Sequence, residues 1–75
     1  MSEVTVFLEQ PRGRDTLRVT MSDFKGTTYV DVRVWFTDRD GELRPGPKGV
    51  SLRPDAIPAV IEALRAAQSA LGGAS

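Results

Sequence analysis

Phe24 and Lys25 stand side by side, Arg33 is followed closely by Trp35 and Phe36, and Arg44 and Lys48 flank Pro45, Gly46 and Pro47 in the stretch RPGPKG. Cations interleaved with aromatic rings suit one kind of chemistry: charges that track phosphates and rings that stack on unpaired bases. Other chemistries lack their parts. With no histidine and no cysteine in the chain, Ser-His-Asp and Cys-His arrangements and the commonest general base at neutral pH are missing. The usual zinc ligand sets are missing too. The expectation is therefore a protein that is not an enzyme, with no cofactor, no metal and no small-molecule substrate. Asp38, Asp40 and Glu42 lie close together in DRDGE, but a calcium loop needs a third ligand before its glycine and a glutamate well beyond it. The Asp-Gly pair between two apolar runs reads instead as a hairpin.

A chain of 75 residues makes one domain, read here as residues 1–75 with an ordered core of about 4–71, and buries only about 60% of the surface its unfolded form exposes. Without disulfide or zinc, a second copy of the chain is the natural source of further buried area. Formal charge sums to zero. It is unevenly spread: residues 12–53 hold nine Lys or Arg against six acids, so a local basic face remains possible on a neutral protein, weaker than the clustered footprint of a strong binder. The opening MSEVTVFLEQ has no basic n-region, and no eighteen apolar residues run together, so no membrane partner is expected. The expected location is cytoplasmic, nucleoid-associated in a bacterium.

The elements that must position these residues follow from periodicity. Val4, Val6 and Leu8 alternate with Thr5, Phe7 and Glu9 up to Pro11, an opening strand with PRGRD as its turn. Leu17, Val19 and Met21 alternate with Arg18, Thr20 and Ser22 in a second strand that DFKG closes. TTYVDVRVWFT, dense in β-branched and aromatic residues, is the strongest strand. It sets Val30, Val32, Val34 and Phe36 on one face and Tyr29, Asp31, Arg33 and Trp35 on the other. A fourth strand runs from near Leu43 to near Leu52, with Pro45 and Pro47 confined to an edge, a bulge or a strand that peels away. From Pro54 the period becomes helical through Ile57, Val60, Ile61, Leu64, Ala67 and Leu71; Asp55 complements the helix dipole, and Gly72 and Gly73 end the run. Pro58, one turn in, is expected to remove a backbone bond. Four strands and one helix imply an α+β fold: an antiparallel sheet whose apolar face the helix covers, leaving stripe enough for a partner helix. Arg18, Arg33 and Trp35 lie on or beside the polar face, with Phe24 and Lys25 in a turn and Arg44 and Lys48 in a loop.

The run DFKGTTYVDVRVWFTDRDGELRPGPKGVSLRP resembles the C-terminal domain of the eukaryotic transcriptional coactivator positive cofactor four, a family with small bacterial relatives. Its specific parts are the Phe24-Lys25-Gly26 turn, V-D-V-R followed by Trp35 and Phe36, and D-G-E-L-R-P-G-P-K-G-V-S-L before the helix. The resemblance implies a four-stranded antiparallel sheet plus a C-terminal helix, homodimeric through the helix and neighbouring strands. It implies single-stranded DNA binding along the joined sheets with little sequence specificity, in the role of a transcriptional coactivator or regulator, with the transcription machinery as a further partner. Carried over by position, Phe24 and one of Trp35 or Phe36 stack bases, while Lys25, Arg33, Arg44 and Lys48 meet phosphates. Alternation favours Trp35 as the outward ring; the family's stacking aromatic corresponds to Phe36, which would need a bulge to face outward. Ser22, Thr27 and Pro47 stand where the family often has cations, and Arg53 replaces the usual polar helix cap.

Plainer readings accompany these. A single ring is more often core than platform, Arg33 could pair with an acid on a neighbouring strand as a surface ion pair worth about 0 to 1 kcal/mol, and RPGPKG could be a solvated loop. The alternative reading holds the prolines rigid and the glycines bare so that Arg44 and Lys48 project over the groove. Two other functions stay open: single-stranded RNA binding, and a protein-binding transcription scaffold of the same fold with a weakened nucleic-acid face.

Overall fold

The chain runs β1 (Thr5–Arg12), β2 (Asp15–Phe24), β3 (Thr27–Thr37), β4 (Leu43–Leu52), a 3-10 turn (Pro54–Ala56) and α1 (Ile57–Ala70). The computed structural model describes residues 4–72. The strands form one antiparallel sheet in sequence order, the topology that short hairpin connections between neighbours produce.

β2 and β3 pair without interruption from Asp15↔Phe36 to Phe24↔Thr27. Their two-residue turn is Lys25 (φ 51°) and Gly26 (φ 81°), the positive-φ pair that matches the twist of the strands. Glycine takes that conformation freely; a lysine does so at a cost. β1 runs past Pro11, where the sequence suggested a stop, to close on Arg12↔Asp15. In a two-residue hairpin the pair beside the closing pair points its N–H groups away from the partner strand, so Pro11 forfeits no ladder bond. β1 also carries a bulge between Val6 and Leu8.

The hairpin expected at DRDGE joins β3 to β4, which pair from Thr37↔Leu43. Asp38 N–H donates to Glu42 O (2.9 Å) and Gly41 N–H to Asp38 O (3.0 Å). Asp38 Oδ1 accepts from the N–H groups of Asp40 (2.9 Å) and Glu42 (3.0 Å), so the aspartate side chain organises a five-residue loop by local backbone bonding. On β4 the register passes from Trp35↔Pro45 to Arg33↔Gly49, which leaves Gly46, Pro47 and Lys48 bulged against Val34. A Cβ at Gly46 would lie 2.8 Å from Val34 O, and one at Gly49 would lie 2.6 Å from Val32 O and 2.7 Å from Arg33 Cα. The glycines of RPGPKG thus mark where two backbones touch, and its prolines sit on the outer edge of the sheet.

Pro58 falls within the first turn of α1, where its N–H would lack an intrahelical partner anyway, so the expected loss of a bond does not arise. The helix ends at Gly72 (φ 107°), whose N–H donates to Ser69 O at 3.2 Å; Gly73 and the tail after it lie outside the described residues. The larger departure concerns what α1 covers. The 3-10 turn rests against β3, but α1 makes no packing of comparable extent with any strand. The sheet's apolar face is therefore not shielded by its own helix, because the turn at Pro54–Ala56 leads the chain away from it. No apolar residue among those described is buried; Val50 is 54% exposed and Leu64 65%. The radius of gyration, 14.3 Å, exceeds the roughly 11 Å of a compact domain of this length.

Candidate nucleic-acid interface

Residues directly opposite one another in a sheet share a face. Register therefore places Thr16, Arg18, Thr20 and Ser22 of β2 with Trp35, Arg33, Asp31 and Tyr29 of β3. Ser51 joins them from β4 and Glu9 from β1. On this face lies an open groove of about 460 Å³ whose walls include Phe24, Tyr29, Asp31, Arg33, Trp35, Pro45 and Ser51. Beneath them lie the two buried residues of the described chain, Thr16 and Thr20.

Arg33 is held from two sides. Its Nε donates to Asp31 Oδ2 at 2.9 Å and its other nitrogens to Asp31 Oδ1 (3.2 Å) and Gly46 O (2.8 Å). The β4 bulge thus supplies the carbonyl that fixes the guanidinium. Ser51 Oγ donates to Asp31 Oδ1 at 2.7 Å. Burial pushes the Asp31 carboxyl up, yet the bonds from Arg33 and Ser51, together with the Arg33 charge, hold it below the usual carboxylate value. On the other side of the groove Arg18 lies over Trp35, its Cζ 4.6 Å from the ring centroid, and donates from Nε to Glu9 Oε2 at 2.9 Å. Lys25 Nζ sits 5.4 Å from the Phe24 ring centroid, with no acidic partner among the described residues.

Residues 13–63, which hold the hairpin with Phe24 and Lys25 at its tip and most of the groove behind it, match the family described as Transcriptional Coactivator p15 (PC4). The chain belongs to the PC4 family. A PC4 homolog from Burkholderia pseudomallei is 31% identical in its orthorhombic crystal form, over 85% of this chain and 88% of that one, with a TM-score of 0.76. The tetragonal form gives 30% identity over 88% and 98%, with a TM-score of 0.79. A bacteriophage T5 homolog of the eukaryotic coactivator PC4, implicated in recombination-dependent DNA replication, shares the fold at 21% identity over 91% of this chain and 77% of that one, with a TM-score of 0.74.

Within this PC4 fold the residues singled out from sequence divide between two faces. Arg18, Arg33 and Trp35 line or flank the groove, with Phe24 and Lys25 at its end. Phe36 does not join them, because β3 keeps strict alternation and turns it to the apolar side beside Val34. Arg44 pairs opposite Phe36, and Lys48 borders a smaller hollow with Val34, Phe36 and Pro47. The hexapeptide does not hold these two cations over the Trp35 groove: the register from the loop sets Arg44 with Phe36 on the apolar side, and Lys48, within the bulge, borders the hollow on that side. Arg44 donates to Asp38 at 2.5 Å, and that bond, with the backbone N–H groups of Glu42 and Asp40, lowers the Asp38 pKa. Three of the nominated cations, Arg18, Arg33 and Arg44, are therefore engaged with acids of the same chain. The partner of Arg33 is not across the sheet but two residues back on its own strand. Sequence reasoning gave no role to Glu9, Asp31, Tyr29 or Ser51; for Asp31 the i, i+2 spacing to Arg33 was a readable signal, whereas Glu9 and Ser51 required the register.

Proposed function

We propose that this PC4-family protein binds single-stranded DNA with little sequence specificity, as a non-catalytic homodimer that serves as a transcriptional coactivator or regulator. The observation that carries the reading is the groove itself: Phe24, Tyr29 and Trp35 line one open trough with Lys25 at its mouth, rings for unpaired bases beside a cation for their backbone. The homodimer rests on a different observation. An amphipathic helix and a sheet each leave their apolar side open, and a small chain that buries no apolar residue lacks the main favourable term of folding. A second copy offers the complementary surface for both.

The test is a titration of the Trp35 fluorescence with a thymidine oligonucleotide of about 20 residues, long enough to span several stacking sites, at low and at raised salt. Quenching that weakens as salt rises supports the reading, with log affinity falling by about 0.7 per decade of salt for each phosphate neutralised. A flat signal at low salt, from protein shown by sedimentation to be dimeric, would favour a second reading. That reading is a protein-binding scaffold of the same fold, working with the transcription machinery. Its support is the internal pairing of Arg18, Arg33 and Arg44, which leaves fewer cations available to phosphates.

A further inference from the structure

Arg18 holds the closest approach to an aromatic ring in the groove, yet both of its polar contacts go to one carboxylate. Nε and one terminal nitrogen reach Glu9 Oε2 at 2.9 and 2.5 Å while the guanidinium carbon stays 4.6 Å above the Trp35 ring. Glu9 stands directly opposite Arg18 across the β1–β2 ladder, so the pair needs no reach beyond that of neighbouring strands. The Arg18 side chain is 19% exposed and that of Glu9 47%: the cation is tucked against the ring, and the acid holds it from the solvent side. The indole N–H of Trp35 finds no acceptor within the described chain, so no hydrogen bond orients the ring, which lies between its cross-strand neighbours Thr16 and Pro45 with the guanidinium above it.

A ring covered by a guanidinium cannot stack on a base through that same side, and a guanidinium forked onto a carboxylate is using the donors that would otherwise grip a phosphate. We propose that Glu9 is an internal competitor for nucleic-acid phosphate. It holds Arg18 over Trp35 in the free protein, and single-stranded DNA engages the groove by taking Arg18 from Glu9 onto its backbone, which bares the ring for a base. This rests on the single-stranded DNA reading above. Glu9 is thus a positioning residue that sets how tightly, and with how strong a salt dependence, the groove binds. Asp31 does not act in the same way, because Arg33 is fixed by the Gly46 carbonyl as well as by its acid and stays in place when one partner is exchanged.

The experiment repeats the thymidine-oligonucleotide titration with Glu9→Gln, and with Glu9→Thr as a second variant suited to an edge strand; thermal melting and sedimentation check that both remain folded and associated. Loss of the competitor removes an exposed ion pair, so affinity should rise by up to about fivefold at low salt. The plot of log affinity against log salt should steepen by about 0.7, the mark of one further phosphate contact. A merely structural Glu9 would alter melting and leave that slope unchanged. If the wild-type protein binds and both variants bind equally or more weakly with the same slope, the competitor idea is overturned while the DNA reading stands. Binding by the variants alone would show Glu9 keeping the groove shut and would support both. Silence from the wild type and from both variants would overturn the DNA reading and this inference together.

Discussion

The two faces of the sheet are finished to different degrees. On the polar face, Thr16 and Thr20 are buried and Arg18 and Arg33 have matched acids. Opposite them, Leu17, Val19, Val32 and Val34 share a face with Phe36, and no other described element of the chain seals it. One chain is enough to pair both arginines of the groove with acids, though it leaves the Trp35 N–H without an acceptor among the described residues, and it does not complete a hydrophobic core. Polar groups find their partners locally, at the i, i+2 and cross-strand distances that a sheet provides, whereas apolar area needs another layer. The two arginines of the site are thus placed by the single chain, whatever covers its apolar side.

The sharpest way to break this contrast is to charge the open side. Leu64→Asp on α1 should abolish association and the cooperative melt, since each buried leucine contributes about 1.5 to 3 kcal/mol and a buried charge costs still more. Sedimentation would show monomer; a variant that stays paired and melts normally would mean that the helix stripe is no seam. A comparison of Trp35→Ala with Phe36→Ala sharpens the division next. The first should weaken oligonucleotide binding by about 1 to 3 kcal/mol, the worth of a stacked base, and leave association intact; the second should lower the melting temperature and spare affinity. The reverse outcome in the same titration and melting series would move the stacking platform to the apolar side, where Arg44 and Lys48 lie.

A smaller effect is expected at the tip of the β2–β3 hairpin. Lys25 sits at φ 51°, so Lys25→Asn, which tolerates that region better, should stabilise the fold by up to about 1 kcal/mol. It should also make the salt slope shallower by about 0.7. Gain of stability with unchanged slope would remove Lys25 from the binding surface. The mildest expectation concerns acid. Asp31 and Asp38 have pKa values lowered in the fold, so each binds fewer protons folded than unfolded. Their stabilising contribution is then complete above the unfolded value of about 3.9 and is lost as pH falls through the lower folded value. Melting temperature should decline below about pH 4, and Asp38→Asn should flatten part of that decline.

How far the sequence could foresee this depends on the element. β3 is legible to the residue, because an eleven-residue β-branched and aromatic run between two turn signals admits few other boundaries, and its alternation assigns Trp35 and Phe36 to opposite sides. The Arg33–Asp31 pair could be read from the same strand alone. The Arg18–Glu9 pair could not: it depends on the turn being only Gly13 and Arg14 rather than the whole of PRGRD, and a proline whose N–H points outward gives no sign of being tolerated. The destination of Lys48 was hidden because a bulge resets which side a residue faces without altering composition, and that of Arg44 because it follows from the register that sets it opposite Phe36. Nor does the amphipathic stripe of α1 say which sheet it will cover; periodicity reports that a side wants company, not whose.

Pro11 lies on the outer strand at one side of the sheet, and Pro45 and Pro47 lie on the outer strand at the other. Neither margin offers an unbroken row of donors to an incoming strand, and the Val6/Leu8 bulge interrupts the first further. Lateral recruitment into fibres is thereby discouraged at both borders, which suits the proposed association through the greasy sides, a closed pair that would stop growing once formed.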